Sequence, residues 1–319
     1  MAVTQKVGCN LRLRSWLLLS LPLLSASLYG DSYYLTIAGL GGEQEYEQRF
    51  SGWASDLDKI LKGEPSAHIV TLSGAQATRA NIEAKLADVA RQAKTDDTFA
   101  LFLIGHGTYD DTDYKFNIPG PDITASALGG LLDKIPAQQA VIDMTSASGA
   151  AIAVLQKPRR VIVTATKSGT EKNAPVFARY FIEALRDLTA DIDRNEVISA
   201  LEAFRYAEGK TAKFYDEVKR LATEHPLIED TGKGEGVKAP AAENGQGIAA
   251  ARFALLHTGT AAAVARDPAK QKLLKQKEEI EQQIDELKYR KAAMSVPEYR
   301  QQLSKLLVEL ARTQEALDK

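Results

Sequence analysis

Gly105-His106-Gly107 and Thr145-Ser146-Ala147-Ser148-Gly149 are the stretches of this sequence whose residue types can do chemistry together. An imidazole titrates near neutral pH and can take or give a proton. A hydroxyl becomes a nucleophile only with a general base within hydrogen-bond reach. A third group, usually a carboxylate, then has to orient the ring. Asp110, Asp111 and Asp113 follow the histidine, and Asp143 precedes the serine; each is a candidate for that role. Thr145 and Ser148 are competing hydroxyls. The two stretches are far apart in sequence, so a fold must bring them together.

The preceding residues say how. LFLI (101–104) and AVIDM (140–144) are apolar runs without helical period, each ending in small residues. Such runs read as strands buried on both faces of a parallel sheet. His106 and Ser146 then follow the carboxyl ends of neighbouring strands, where open α/β sheets put their chemistry. The first run belongs to a strand over 98–105; further strands are expected at 33–39, 68–72 and 160–166, with an edge strand at 250–256. Tyr46, Phe50, Trp53, Leu57, Ile60 and Leu61 mark one amphipathic helix. Ile82, Leu86, Val89 and Ala93 mark a second, and helices are also expected at 124–134, 174–186 and 195–224. Alternating strands and helices imply a parallel sheet covered on both faces. The segments 108–121 and 226–247 read as long loops.

A strand ending in His-Gly, then a strand followed by Ser146-Ala147-Ser148-Gly149, resembles the legumain and caspase group of cysteine peptidases. In that group the second strand ends in Cys-x-Ser-Gly, so Ser146 stands at the cysteine position. The resemblance spans 33–256 and implies an α/β, caspase-like three-layer domain with a mostly parallel central sheet. It implies His106 as the proton-transfer residue and backbone N–H groups of Gly107 and Ser146 as oxyanion donors. It also implies a peptide groove lined by the loop after the fifth strand, with Lys167, Ser168 and Glu171. A hydroxyl does not pre-ionise as a thiol does. The expected function is therefore a pseudo-peptidase that binds a polypeptide segment. The alternatives are an active serine-type hydrolase using Ser146 and His106, and an assembly protein acting through its C-terminus.

Asp191, Asp193, Asn195, Ser199 and Glu202 match calcium-loop spacing. Glu196, however, replaces the glycine of the sharp turn. The competing reading is a helix N-cap with acidic residues at the positive dipole end. No metal and no cofactor is expected. From 266 to 319, Leu273, Ile280, Leu287 and Met294 repeat at seven, as do Leu303, Leu310 and Leu317 after Ser295-Val296-Pro297. This predicts an antiparallel helical hairpin, with a protein partner or self-association through it.

Lys6, Arg12 and Arg14, the apolar run 16–24 and the small residues 25–27 read as a signal peptide over 1–30. The expected domain then spans 31–260, and the protein is expected to be exported, periplasmic or extracellular, without stable membrane insertion. Cys9 is the single cysteine, so the mature chain would carry no thiol and no disulfide. With 45% hydrophobic and 26% charged residues the composition is that of a globular protein. A formal net charge of −2 argues against nucleic acid as a partner.

Overall fold

The computed structural model describes residues 30–267 and 269–319; the expected signal peptide and Cys9 lie outside the described residues. β1 (Ser32–Ala38) leads through α1 (Gln44–Leu61) to β2 (Ala67–Leu72), and α2 (Arg79–Gln92) leads to β3 (Thr98–Ile104). Three short strands follow: β4 (Gly107–Tyr109), β5 (Tyr114–Phe116) and β6 (Ile123–Thr124). Then come α3 (Ala125–Leu132), β7 (Gln138–Asp143), α4 (Ile152–Leu155), β8 (Arg160–Thr164) and α5 (Phe177–Ala184). β9 (Val197–Ser199), α6 (Ala200–Glu217), β10 (Leu227–Glu229), α7 (Ile248–Ala251) and β11 (Ala254–His257) complete the domain. α8 (Gly259–Ala265), α9 (Gln271–Tyr289) and α10 (Val296–Leu317) form the C-terminus.

The central sheet has the order β10-β8-β7-β3-β1-β2. Its first five strands in sequence are parallel, and β10 runs antiparallel to β8. β3 shows why the pattern is apolar without a period. Phe99, Leu101 and Leu103 join one core, while Ala100, Phe102 and Ile104 join the other. The first core holds α2, α3 and α4; the second holds α1, α5 and α6. On α1, Phe50, Ala54, Leu57 and Leu61 are buried at three- and four-residue spacing. Each large side chain buried in this way contributes about 1.5–3 kcal/mol.

Three expectations are corrected. The segment 108–121 is no open loop, because β4, β5 and β6 pair into an antiparallel sheet there. The helix expected over 195–224 begins with a strand, since β9 pairs with β11 before the Ser199 capping box starts α6. The edge strand expected at 250–256 does not join the central sheet. β10 takes that position, from a segment whose glycines and charges hid a three-residue strand.

The C-terminal hairpin forms as expected. α9 buries Leu274, Ile280, Ile284 and Leu287, and Ser295 caps α10, accepting from the Glu298 N–H with Pro297 in the first turn. The hairpin is braced on the domain. Tyr289 hydrogen-bonds the carbonyls of Ala241 and Gln246, and Arg252 pairs with Glu286 at 2.6 Å. No helix among the described residues is long and apolar enough to cross a membrane.

Candidate functional site

β3 and β7 are direct neighbours, with Leu103 opposite Asp143. The sheet therefore delivers the His106 and Ser146 turns to the same carboxyl edge. Ser146 is buried at 2% exposure, and its hydroxyl is fully occupied. Oγ accepts from the Gly107 N–H at 3.1 Å and donates to the Gly107 carbonyl at 3.0 Å. Gly107 has no room for a side chain: a Cβ there would lie 2.3 Å from the Ser146 carbonyl and 2.7 Å from Thr145 Oγ1.

The His106 ring is half-buried against α1, with Tyr46 at 4.8 Å and Phe50 at 5.1 Å, both edge-on. Burial holds its pKa below the ordinary histidine value, against a hydrogen bond to the Gly41 carbonyl and the charge of Glu43. The imidazole is thus neutral near pH 7. The aromatic cradle was not legible as part of the site, although Tyr46 and Phe50 were visible as a helix face.

None of the carboxylates considered as a ring orienter is hydrogen-bonded to His106. Asp110 sits in the β4–β5 turn, where Lys115 and the N–H groups of Asp113 and Thr112 hold its carboxyl down to about 2. Asp111 occupies the same turn, with φ +69°. Asp143 is fully buried and serves Thr145, whose Oγ1 donates to Asp143 Oδ1 at 2.7 Å. Tyr114 extends the chain, its hydroxyl 2.6 Å from Thr145 Oγ1. Burial pushes Asp143 up to about 6, against the hydrogen bonds from Thr145 and Tyr114, and its Oδ2 has no partner among the described residues. Thr145 is thereby committed to a structural network. Ser148 likewise faces Thr166 Oγ1 at 3.2 Å.

The loop after β8 lies flush on the Ser146 turn. The Ala147 N–H donates to the Glu171 carbonyl at 2.8 Å, and the Glu171 carboxylate accepts from the N–H groups of Lys167 and His225. The His225 ring, at Nδ1, pairs with the same carboxylate. Gly149 and Gly169 allow this approach: a Cβ on the first would lie 2.2 Å from the Lys167 backbone, and on the second 2.2 Å from the Tyr109 ring. Lys167 stays exposed and Ser168 half-buried. Glu171 is thus a latch between this loop and His225. His225 and Tyr109 were missed, since a contact across the fold leaves no local pattern in the sequence.

The acidic loop is a capped turn. Carboxylate oxygens of Asp191, Asp193 and Glu202 lie within 4.8 Å of one another. Each already accepts hydrogen bonds: Asp191 from the N–H groups of Asn195 and Glu196, Asp193 from Asn195, and Glu202 from Ile192 and Ser199. Asn195 Oδ1 accepts from the Val197 N–H. Contrary to expectation, Glu196 does not block the sharp turn. That residue adopts the left-handed turn, with φ +66°, and Ala261 N–H and Thr260 hydroxyl bind its carboxylate. Its side chain does not exclude the turn; it anchors it.

No protein-family model matches the sequence, and no curated protein matches it. Similar solved structures include the Drosophila initiator caspase Dronc, at 10% identity and a TM-score of 0.42, covering 65% of this chain and 82% of that one. Caspase-1 from Spodoptera frugiperda is similar at 12% identity and a TM-score of 0.42, covering 63% and 86%. A protein of Geobacter sulfurreducens is similar at 10% identity and a TM-score of 0.41, covering 63% and 92%. At these scores the similarity is one of partial outline. What positions the site is the strand order itself.

Proposed function

We propose that this protein is an exported, legumain/caspase-like pseudo-peptidase whose groove binds a polypeptide segment without cleaving it. The observation that carries the reading is the closed pair between Ser146 and Gly107. A serine nucleophile must give its proton to a base, and here the hydroxyl donates that proton in a hydrogen bond to the Gly107 carbonyl. An oxyanion hole needs a free N–H, and the Gly107 N–H is spent on Ser146 Oγ. His106 packs edge-on against Tyr46 and Phe50 of α1, so the base is directed elsewhere. The serine-hydrolase alternative requires all three arrangements to break together.

The surface left to a ligand is made by half-buried His106, Tyr46 and Tyr109, with exposed Lys167 and Thr170 beside them. Aromatic faces beside backbone and short polar side chains suit an extended peptide. A fluorophosphonate probe tests the reading: purified protein is expected to label no more than Ser146→Ala. Labelling that disappears in Ser146→Ala would establish a working serine. Export is tested separately, by mass spectrometry of the native N-terminus. It is expected between residues 28 and 33, and an intact Met1 would overturn it.

A further inference from the structure

α10 packs against α9, with Thr313 and Leu317 buried and Leu306 and Leu310 half-buried, while many of its other side chains meet solvent. Val296, Leu307 and Val308 are among the exposed large apolar side chains, at 63%, 48% and 53%. Leu307 and Ala311 border one side of an open cleft whose other wall carries Asp193, Arg194 and, from α9, Lys277 and Glu281. Arg300, Ser304, Leu307, Val308, Ala311 and Glu315 are three, four or one residue apart, so they form one stripe along the helix. All six are exposed.

We infer that this stripe is a self-association surface, on which a second copy of the chain lays its own α10 antiparallel. The stripe is complementary to itself only in that direction. A two-fold axis between Leu307 and Val308 places Leu307 against Val308 of the second copy, and the reverse. Ser304 then opposes Ala311, and these small side chains let the helices approach closely. At both ends Arg300 opposes Glu315. A parallel pairing would set Arg300 against Arg300 and Glu315 against Glu315, a repulsion that disfavours it. Arg300 has no ion pair among the described residues, and Glu315 is engaged only by Lys319, in a pair that is 70% or more exposed. Such an exposed pair holds Glu315 weakly. A closed two-fold contact of this kind is isologous, so one stripe supplies both sides. A single helix pair falls below roughly 1,200 Å² of interface, which makes the dimer weak and concentration-dependent.

The inference is independent of the groove, and so is its test. In the full chain with Cys9→Ser, the double variant Ser304→Cys with Ala311→Cys is expected to form a covalent dimer on mild oxidation. The two positions lie roughly 10 Å apart on one helix and cannot bridge within a chain. Ser304→Cys alone and Ala311→Cys alone are expected to remain monomeric, because each faces the other position. Adding Arg300→Glu should cut the cross-linked yield several-fold, and adding both Arg300→Glu and Glu315→Arg should restore it. Cross-linking by the single variants at the same yield would overturn the register. A monomer with no cross-link at any concentration would overturn the surface itself, whatever the fluorophosphonate result.

Discussion

Ser146 and Gly107 satisfy each other: one hydroxyl takes the N–H and caps the carbonyl of the same glycine, at 3.1 and 3.0 Å. Both partners are buried, so the pair stitches the end of β3 to the turn after β7. Ser146→Ala leaves two buried backbone groups unpaired. The expected loss is about 1–3 kcal/mol of unfolding free energy, read by urea denaturation. A neutral or stabilising effect would mean the hydroxyl was held for chemistry and not for structure.

The loop after β8, packed on the turn that carries Ser146, is expected to govern access to that hydroxyl. Ser146→Cys places a thiol beneath the Ala147–Glu171 backbone contact, so iodoacetamide is expected to label it slowly. Adding His225→Ala or Glu171→Ala frees the latch, and labelling should accelerate several-fold through local opening. Equal rates with and without the latch would show that the loop is not the cover.

Gly107→Ala and Gly149→Ala should be costlier than glycine-to-alanine changes elsewhere. Each new Cβ would fall within 2.3 Å of backbone that has no slack. Overpacking of this kind costs about 1–3 kcal/mol. Gly52 and Gly130, which have open space at the Cβ position, serve as controls. Similar melting temperatures for all four variants would refute the close approach.

His257 joins the domain to the hairpin, with Nδ1 2.6 Å from Glu64 and Nε2 3.0 Å from Glu278. Burial alone would push its pKa down, but the hydrogen bonds to Glu278 and Glu64 carry it up to about 10. A raised pKa means that the native state holds the proton more tightly than the unfolded chain. The stabilisation is complete below the unfolded value, about 6.5, and is lost as pH rises through about 10. Urea melts between those limits should show falling stability, and His257→Gln should flatten the slope. An equal slope in that variant would assign the effect to another group.

Asp193 behaves in the same sense from a different cause. Although Asp193 is exposed, partial loss of water around its carboxyl raises it to about 6, and Glu202, Asp285 and Asp191 add to the shift. Its proton is therefore favoured by the fold, and the contribution is lost as pH rises from about 3.8 through about 6. Asp193→Asn should raise the melting temperature at pH 7.5, less so at pH 5, and change little near pH 3.5, below both values. Millimolar calcium should leave wild-type melting unchanged, because the loop's carboxylates already bind backbone N–H groups. A calcium-dependent rise abolished by Asp193→Ala would show that those bonds yield to a cation.

Whatever depended on local pattern was legible in the sequence alone. The buried runs before His106 and Ser146 determined two parallel strands, because only side chains alternating into two apolar cores make every position apolar. The three- and four-residue spacing of α1, and the heptads of α9 and α10 with Ser295 and Pro297 between them, determined those helices. What only the tertiary structure decided was partnership. Ser146 turned to Gly107 and not to His106. His106 chose the aromatic face of α1, Asp143 chose Thr145, and Glu171 found His225. β10 took the sheet edge assigned to β11, since three residues carry too little periodicity to announce a strand. These pairings join residues distant in sequence, and their energies arise only once burial removes water and forces each polar group to find a partner.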